Sequence, residues 1–154
     1  MIQGQDQSGS SGLTEERIQF TDEALDWKTA VRRCGAPLVE QGAVESSYVE
    51  AVIETAQKMG PYFDLGKGIA MPHARPEAGA NAQALAMLRT RTPVLLLDQA
   101  DHAIDVFIML AATDTNSHLA MLQKLAGVLT DDARVERMKA ATTAAEVLAV
   151  FDEA

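Results

Sequence analysis

The spacing of apolar residues along the chain changes from helical to strand-like and back, and each change marks an element. From Trp27 the positions Trp27, Ala30, Val31 and Cys34 recur at helical spacing. Pro37 is expected to kink or end that helix, because it brings no N–H and crowds the preceding turn, and Gly42 closes the segment. Ser46 or Ser47 then caps a second helix whose buried stripe reads Val49, Val52, Ile53, Ala56 and Met59, and Gly60-Pro61 stops it. Upstream, Arg17-Ile18-Gln19-Phe20 reads as a short strand.

The middle of the chain has a different character. Tyr62 to Leu65 and Gly68 to Met71 read as two short extended segments joined by a Gly-Lys turn. Ala82 to Thr90 alternates weakly, and Val94 to Leu97 is a short apolar run. Ile104 to Ala111 is nearly all apolar, as expected of a central strand covered on both faces. Helical spacing returns with Leu119, Leu122, Leu125, Ala126 and Leu129. Short helices follow around Val135 to Met138 and Ala144 to Phe151, the second capped by Thr142 or Thr143. The predicted class is α/β, a mixed β-sheet flanked by helices on both faces. No internal repeat is visible.

Length and composition narrow the reading. A chain of 154 residues suits one domain with a sizeable core. Residues 1–13 are largely Gln, Gly, Ser and Asp and are expected to form a disordered tail, leaving 14–154 as the domain. A formal net charge of −9 argues against a nucleic-acid binder, which needs a basic face, and suits docking to basic protein patches. The single cysteine, Cys34, allows no internal disulfide and fits a reducing compartment. No apolar run approaches the ~20 residues that span a bilayer; the longest, Val106 to Ala112, is strand-length. The N-terminus lacks signal-peptide regions. The expected location is the cytoplasm, without membrane insertion.

The candidate chemistry lies in Gly68-Ile69-Ala70-Met71-Pro72-His73-Ala74-Arg75-Pro76-Glu77 and in Asp114-Thr115-Asn116-Ser117-His118. Pro72 and Pro76 stiffen the backbone on either side of His73, as suits a loop that presents one imidazole. His118 falls in the first turn of a helix, where the dipole favours a neutral imidazole and attracts a phosphate. Neutral imidazole is abundant near pH 7 and nucleophilic, and a phosphoryl group on its nitrogen retains transfer potential. His73 would attack, with Arg75 and backbone N–H groups steadying the phosphoryl oxygens. The same residues admit a plainer reading, His73 bonded to backbone at a strand end and His118 an ordinary surface residue. His102, beside the acidic run Asp98 to Asp101, reads as solvated, and Glu77 as a surface residue. No G-x-x-x-x-G-K-[ST], G-x-G-x-x-G or H-E-x-x-H motif occurs, so ATP use and a zinc centre have no support, and no cofactor is implied.

With Gly60-Pro61-Tyr62-Phe63, the Gly68–Gly79 segment and the apolar strand running into Ala111-Ala112-Thr113-Asp114-Thr115-Asn116-Ser117-His118, the sequence resembles a known family. It is similar to the enzyme IIA domains of the phosphoenolpyruvate-dependent sugar phosphotransferase system, mannitol/fructose type, and within that type to the ascorbate-specific branch. The likeness runs through residues 18–154. It implies the mannitol-type enzyme IIA sandwich, His73 phosphorylated by the phosphocarrier protein HPr, and His118 as the second histidine contacting it. It also implies onward transfer to an enzyme IIB and finally to a sugar entering through a membrane enzyme IIC. Mannitol-type members carry an arginine in the helix before the active strand; this sequence has Gln57 there, and Arg75 is the residue that would take over the charge. A regulatory enzyme IIA-like protein, whose phosphorylation state controls a binding partner, is the alternative function. A homodimer is left open.

Overall fold

The computed structural model describes residues 12–152. Residues 1–11 of the expected tail lie outside the described residues. Leu13, at the end of that tail, is buried in the core, and Gly12 O accepts from Leu85 N–H at 3.1 Å.

Among the described residues the strands β1 (Ile18–Thr21), β2 (Ile69–Ala70), β3 (Ala84–Leu95) and β4 (Ala103–Ala111) form one sheet in the order β1-β3-β4-β2. It is mixed: β1 runs parallel to β3 and β2 parallel to β4, while β3 and β4 are antiparallel. The β3–β4 register shifts between Arg89 and Val94, and β3 is one long irregular strand that joins most of the weakly alternating stretch to Val94 and Leu95, while the rest of that apolar run, Leu96 and Leu97, lies in a 3-10 turn. The segment 84–88 is buried throughout because helices cover both faces.

Alternate residues build two cores. Ala84, Ala86 and Leu88 of β3 with Phe107, Met109 and Ala111 of β4 pack against α1 (Trp27–Glu40) and α2 (Ser46–Met59). Leu85 and Met87 with Val106, Ile108 and Leu110 face α3 (Thr115–Leu129), α4 (Asp132–Ala140) and α5 (Ala144–Asp152). Thr143 caps α5: its Oγ1 accepts from Glu146 N–H at 3.2 Å while Glu146 Oε1 accepts from Thr143 N–H at 3.1 Å, a reciprocal capping box. No described helix is long and apolar enough to cross a membrane.

Local expectations fail where distant groups intervene. Pro37 neither ends nor divides α1, which continues to Glu40. The carbonyl it orphans one turn back, Arg33 O, accepts from Gln19 Nε2 of β1 at 2.6 Å. Neither Ser46 nor Ser47 caps α2: Glu45 is the N-cap residue, and Ser47 Oγ donates instead to Ala78 O at 2.9 Å. Met59, placed in the buried stripe, is 73% exposed. Tyr62 to Leu65 is a turn with a single bridge, Asp64 to Ala70. Gly68, φ 78°, begins the return to β2, and a Cβ there would sit 2.8 Å from Lys139 Nζ and 2.9 Å from Asp105 Oδ1.

Candidate active site

The chain leaves β2 still tied to the sheet. Leu110 N–H donates to Pro72 O at 3.0 Å and Met71 N–H to Phe63 O at 2.8 Å. His73 follows, half-buried, with Nδ1 at 2.8 Å from Met71 O. A carbonyl oxygen only accepts, so Nδ1 carries the proton and the neutral ring holds its lone pair on Nε2.

The second histidine comes from α3, which starts just after β4. Asp114 caps it, its Oδ1 accepting from Ser117 N–H at 2.7 Å, and its main-chain O accepts from His118 N–H at 3.0 Å. The bonds from Ser117 hold the Asp114 carboxyl below the usual range. Gln83 Nε2, just before β3, donates to Ser117 Oγ at 2.9 Å and braces the turn. The rings of His73 and His118 lie 5.5 Å apart, centroid to centroid, inclined at 50°. Burial lowers the His118 pKa, and the neighbouring His73 lowers it further, so His118 is neutral near pH 7.

Tyrosines border this pair. The Tyr62 ring meets His73 edge-on at 5.3 Å, and its hydroxyl donates to His73 O at 2.5 Å. Tyr48, buried on α2, accepts from Ala74 N–H at 3.1 Å and donates to Leu110 O at 2.7 Å. The pair thus sets a partly exposed imidazole, its Nε2 lone pair unengaged, beside a second histidine at a helix N-terminus, surroundings that favour an anionic group.

Residues 11–154 match the family described as phosphoenolpyruvate-dependent sugar phosphotransferase system, EIIA 2. The chain belongs to that family. It is 32% identical over 136 residues to the ascorbate-specific PTS system EIIA component of Salmonella choleraesuis (strain SC-B67), covering 88% of each chain. Its fold superposes on the mannitol-specific cryptic phosphotransferase enzyme IIA CmtB of Escherichia coli with a TM-score of 0.87 and 27% identity, covering 94% of this chain and 98% of that one. It also superposes on Escherichia coli mannitol enzyme IIA, solved in complex with its phosphorylated enzyme IIB, with a TM-score of 0.78, 27% identity and coverage of 92% and 98%. The sheet order and flanking helices described above are thus the mannitol enzyme IIA fold.

In this EIIA domain His73 and His118 come together, and Arg75 lies on the same loop as His73. Arg75 is exposed at the head of the turn Pro76–Ala78, and its side chain has no hydrogen bond or ion pair among the described residues. Gln57 and Glu77 are exposed. His102 differs from its expected solvated state: its Nδ1 lies 2.6 Å from Asp64 Oδ2, joining the loop before β4 to the turn before β2. The α3 stripe also differs. Met121, Leu125 and Val128 are buried, whereas Leu119 is 53% exposed. Leu122 and Leu129 line an apolar groove of about 530 Å³, closed on its other side by Leu65, Ile69 and Met71. Tyr48 and Tyr62 border the histidine pair, and sequence reasoning assigned neither of them to the site, although Tyr62 stood in a quoted motif. The available signal was a phenol hydroxyl within otherwise apolar surroundings, which needs a partner when buried.

Proposed function

We propose that this EIIA domain is a cytoplasmic phosphoryl carrier for sugar uptake, with His73 accepting phosphate from HPr and passing it to a cognate enzyme IIB. The observation that carries the reading is the Nδ1–H bond to Met71 O, which leaves Nε2 as the nucleophilic nitrogen. The Nε2–P bond forms as the N–P bond of the donor phosphohistidine breaks. In the reverse sense, the group leaves Nε2 for the acceptor on enzyme IIB. Such transfers need positioning and charge stabilisation more than covalent work by the protein.

Each neighbour has a role in that scheme. The Met71 carbonyl steadies the positive charge that the ring acquires as Nε2 bonds to phosphorus. His118, neutral and 5.5 Å away between centroids, offers an N–H to a phosphoryl oxygen. Arg75, whose side chain has no protein partner among the described residues, supplies a guanidinium to the same oxygens when a partner docks. Likeness to ascorbate-specific EIIA components supports ascorbate or a related sugar, imported through a membrane enzyme IIC, as the cargo of the system. The enzyme IIB complex of the mannitol relative supports enzyme IIB as the acceptor.

The test is intact-mass analysis after incubation with phosphoenolpyruvate, enzyme I and HPr. One acid-labile phosphoryl group is expected on the wild type and none on His73→Ala. Labelling of His73→Ala, or an unlabelled wild type beside phosphorylated HPr, overturns the assignment. Arg75→Ala should slow transfer far more than His102→Ala, and equal effects would remove Arg75 from the site.

A further inference from the structure

We propose that Tyr48 and Tyr62 are positioning residues that clamp the His73–Ala74 peptide from both ends and thereby hold the His73 imidazole in one tautomer. The proposal rests on the carrier reading of His73 for its consequence, but not for its geometry. The C=O of His73 and the N–H of Ala74 are opposite poles of one planar group. Tyr62 Oη donates to the first at 2.5 Å, and Tyr48 Oη accepts from the second at 3.1 Å. Tyr48 Oη also lies 3.2 Å from Ala74 O, but a phenol has a single proton, and Leu110 O is nearer at 2.7 Å. The hydroxyl directions are therefore determined. Tyr48 links the peptide to β4, and Tyr62 holds it from the turn after α2.

The clamp acts where the sheet stops acting. Pro72 O is the last carbonyl before His73 held by a strand, through Leu110 N–H. Beyond it, regular main-chain bonding resumes only with the turn at Ala78 N–H to Arg75 O, 2.9 Å. A peptide fixed at both poles cannot flip, so ψ of His73 and φ of Ala74 are set together. That restraint keeps the ring where Nδ1 reaches Met71 O, while the edge-on Tyr62 ring limits its swing. Both phenols stay protonated, as the clamp requires: burial raises the Tyr48 pKa and pushes that of Tyr62 up to about 12.

Tyr62→Phe keeps the ring contact and removes only the hydroxyl. Long-range ¹H–¹⁵N correlation at neutral pH, with no phosphoryl donor present, reads the tautomer directly. Wild type should show His73 protonated on Nδ1 alone, and Tyr62→Phe a mixture with the Nε2–H form. In rapid-quench transfer from phospho-HPr, kcat should fall about tenfold at unchanged KM, the size expected when one fixing hydrogen bond is lost. Tyr48→Phe should give the same spectral change, with an added loss of stability because Leu110 O is left without its donor. An unchanged His73 tautomer in Tyr62→Phe, or a loss of rate through KM alone, overturns the clamp. A mixed tautomer in Tyr62→Phe with no phosphorylation of the wild type supports the clamp and sinks the carrier reading, so the two failures are distinct.

Discussion

Replacing Gln19 by methionine should destabilise the protein by about 1–2 kcal/mol, and replacing Pro37 by alanine in the same chain should abolish most of that loss. Pro37 sits inside α1 without an N–H, leaving Arg33 O to Gln19 Nε2 at 2.6 Å. Methionine preserves the length and apolar stem of the side chain but cannot donate. An unpartnered buried carbonyl costs about 1–3 kcal/mol, and partial access of water at this half-buried position selects the lower part of that range. Pro37→Ala restores the intrahelical N–H to Arg33 O, which makes the Gln19 donor redundant. The same change enlarges the unfolded ensemble by up to about 1 kcal/mol, but that contribution is common to the single and double variants that carry it and cancels in the double-mutant cycle. A coupling energy of about 1 kcal/mol is expected from urea unfolding at unchanged m-value. The single Gln19→Met change should lower Tm by about 2–4 °C per kcal/mol. Equal costs in the two backgrounds would show that Gln19 does not compensate for the proline.

Gly35→Ala should be destabilising by about 1 kcal/mol despite the better helix propensity of alanine, because overpacking outweighs it. The new Cβ would lie 2.9 Å from Met109 Sδ and 2.9 Å from Val49 Cγ2, both in the core; a Tm above wild type would show that Met109 moves aside freely. His118 should titrate below 6.5 in an NMR series, and His73→Gln should raise its midpoint only part of the way back, since burial is the larger cause. Its folded pKa is depressed, so its contribution to stability is complete above about pH 6.5 and is lost as pH falls through the folded value. A midpoint at or above 6.5, or one indifferent to His73→Gln, refutes this account.

What the sequence determined by itself is what local physics encodes. Helical spacing located α1, α2 and α3, an unbroken apolar run located β4, and a cap at Thr142 or Thr143 marked the start of α5. The histidines stood out because their flanking prolines and helix-start residues are signals read within a few positions. Tertiary structure decided the rest, since it depends on which distant groups meet. β2 and β4 are adjacent and parallel, so both run out at the same end of the sheet, which brings the loop of His73 to the first turn of the His118 helix. Pro37 is tolerated in α1 because a side chain from β1 reaches the orphaned carbonyl, which no helical propensity could foretell. On α3 the apolar positions Leu119, Leu122, Leu125, Ala126 and Leu129 share only Leu125 with the buried face of Met121, Leu125 and Val128: a helix with apolar residues on more than one side does not announce by spacing which side the sheet will cover. Tyr48 and Tyr62 meet on one peptide only because α2 and the turn after it fold around the His73 segment. Hydrogen bonds between such separated groups have no period, and so leave no mark on the order of residues.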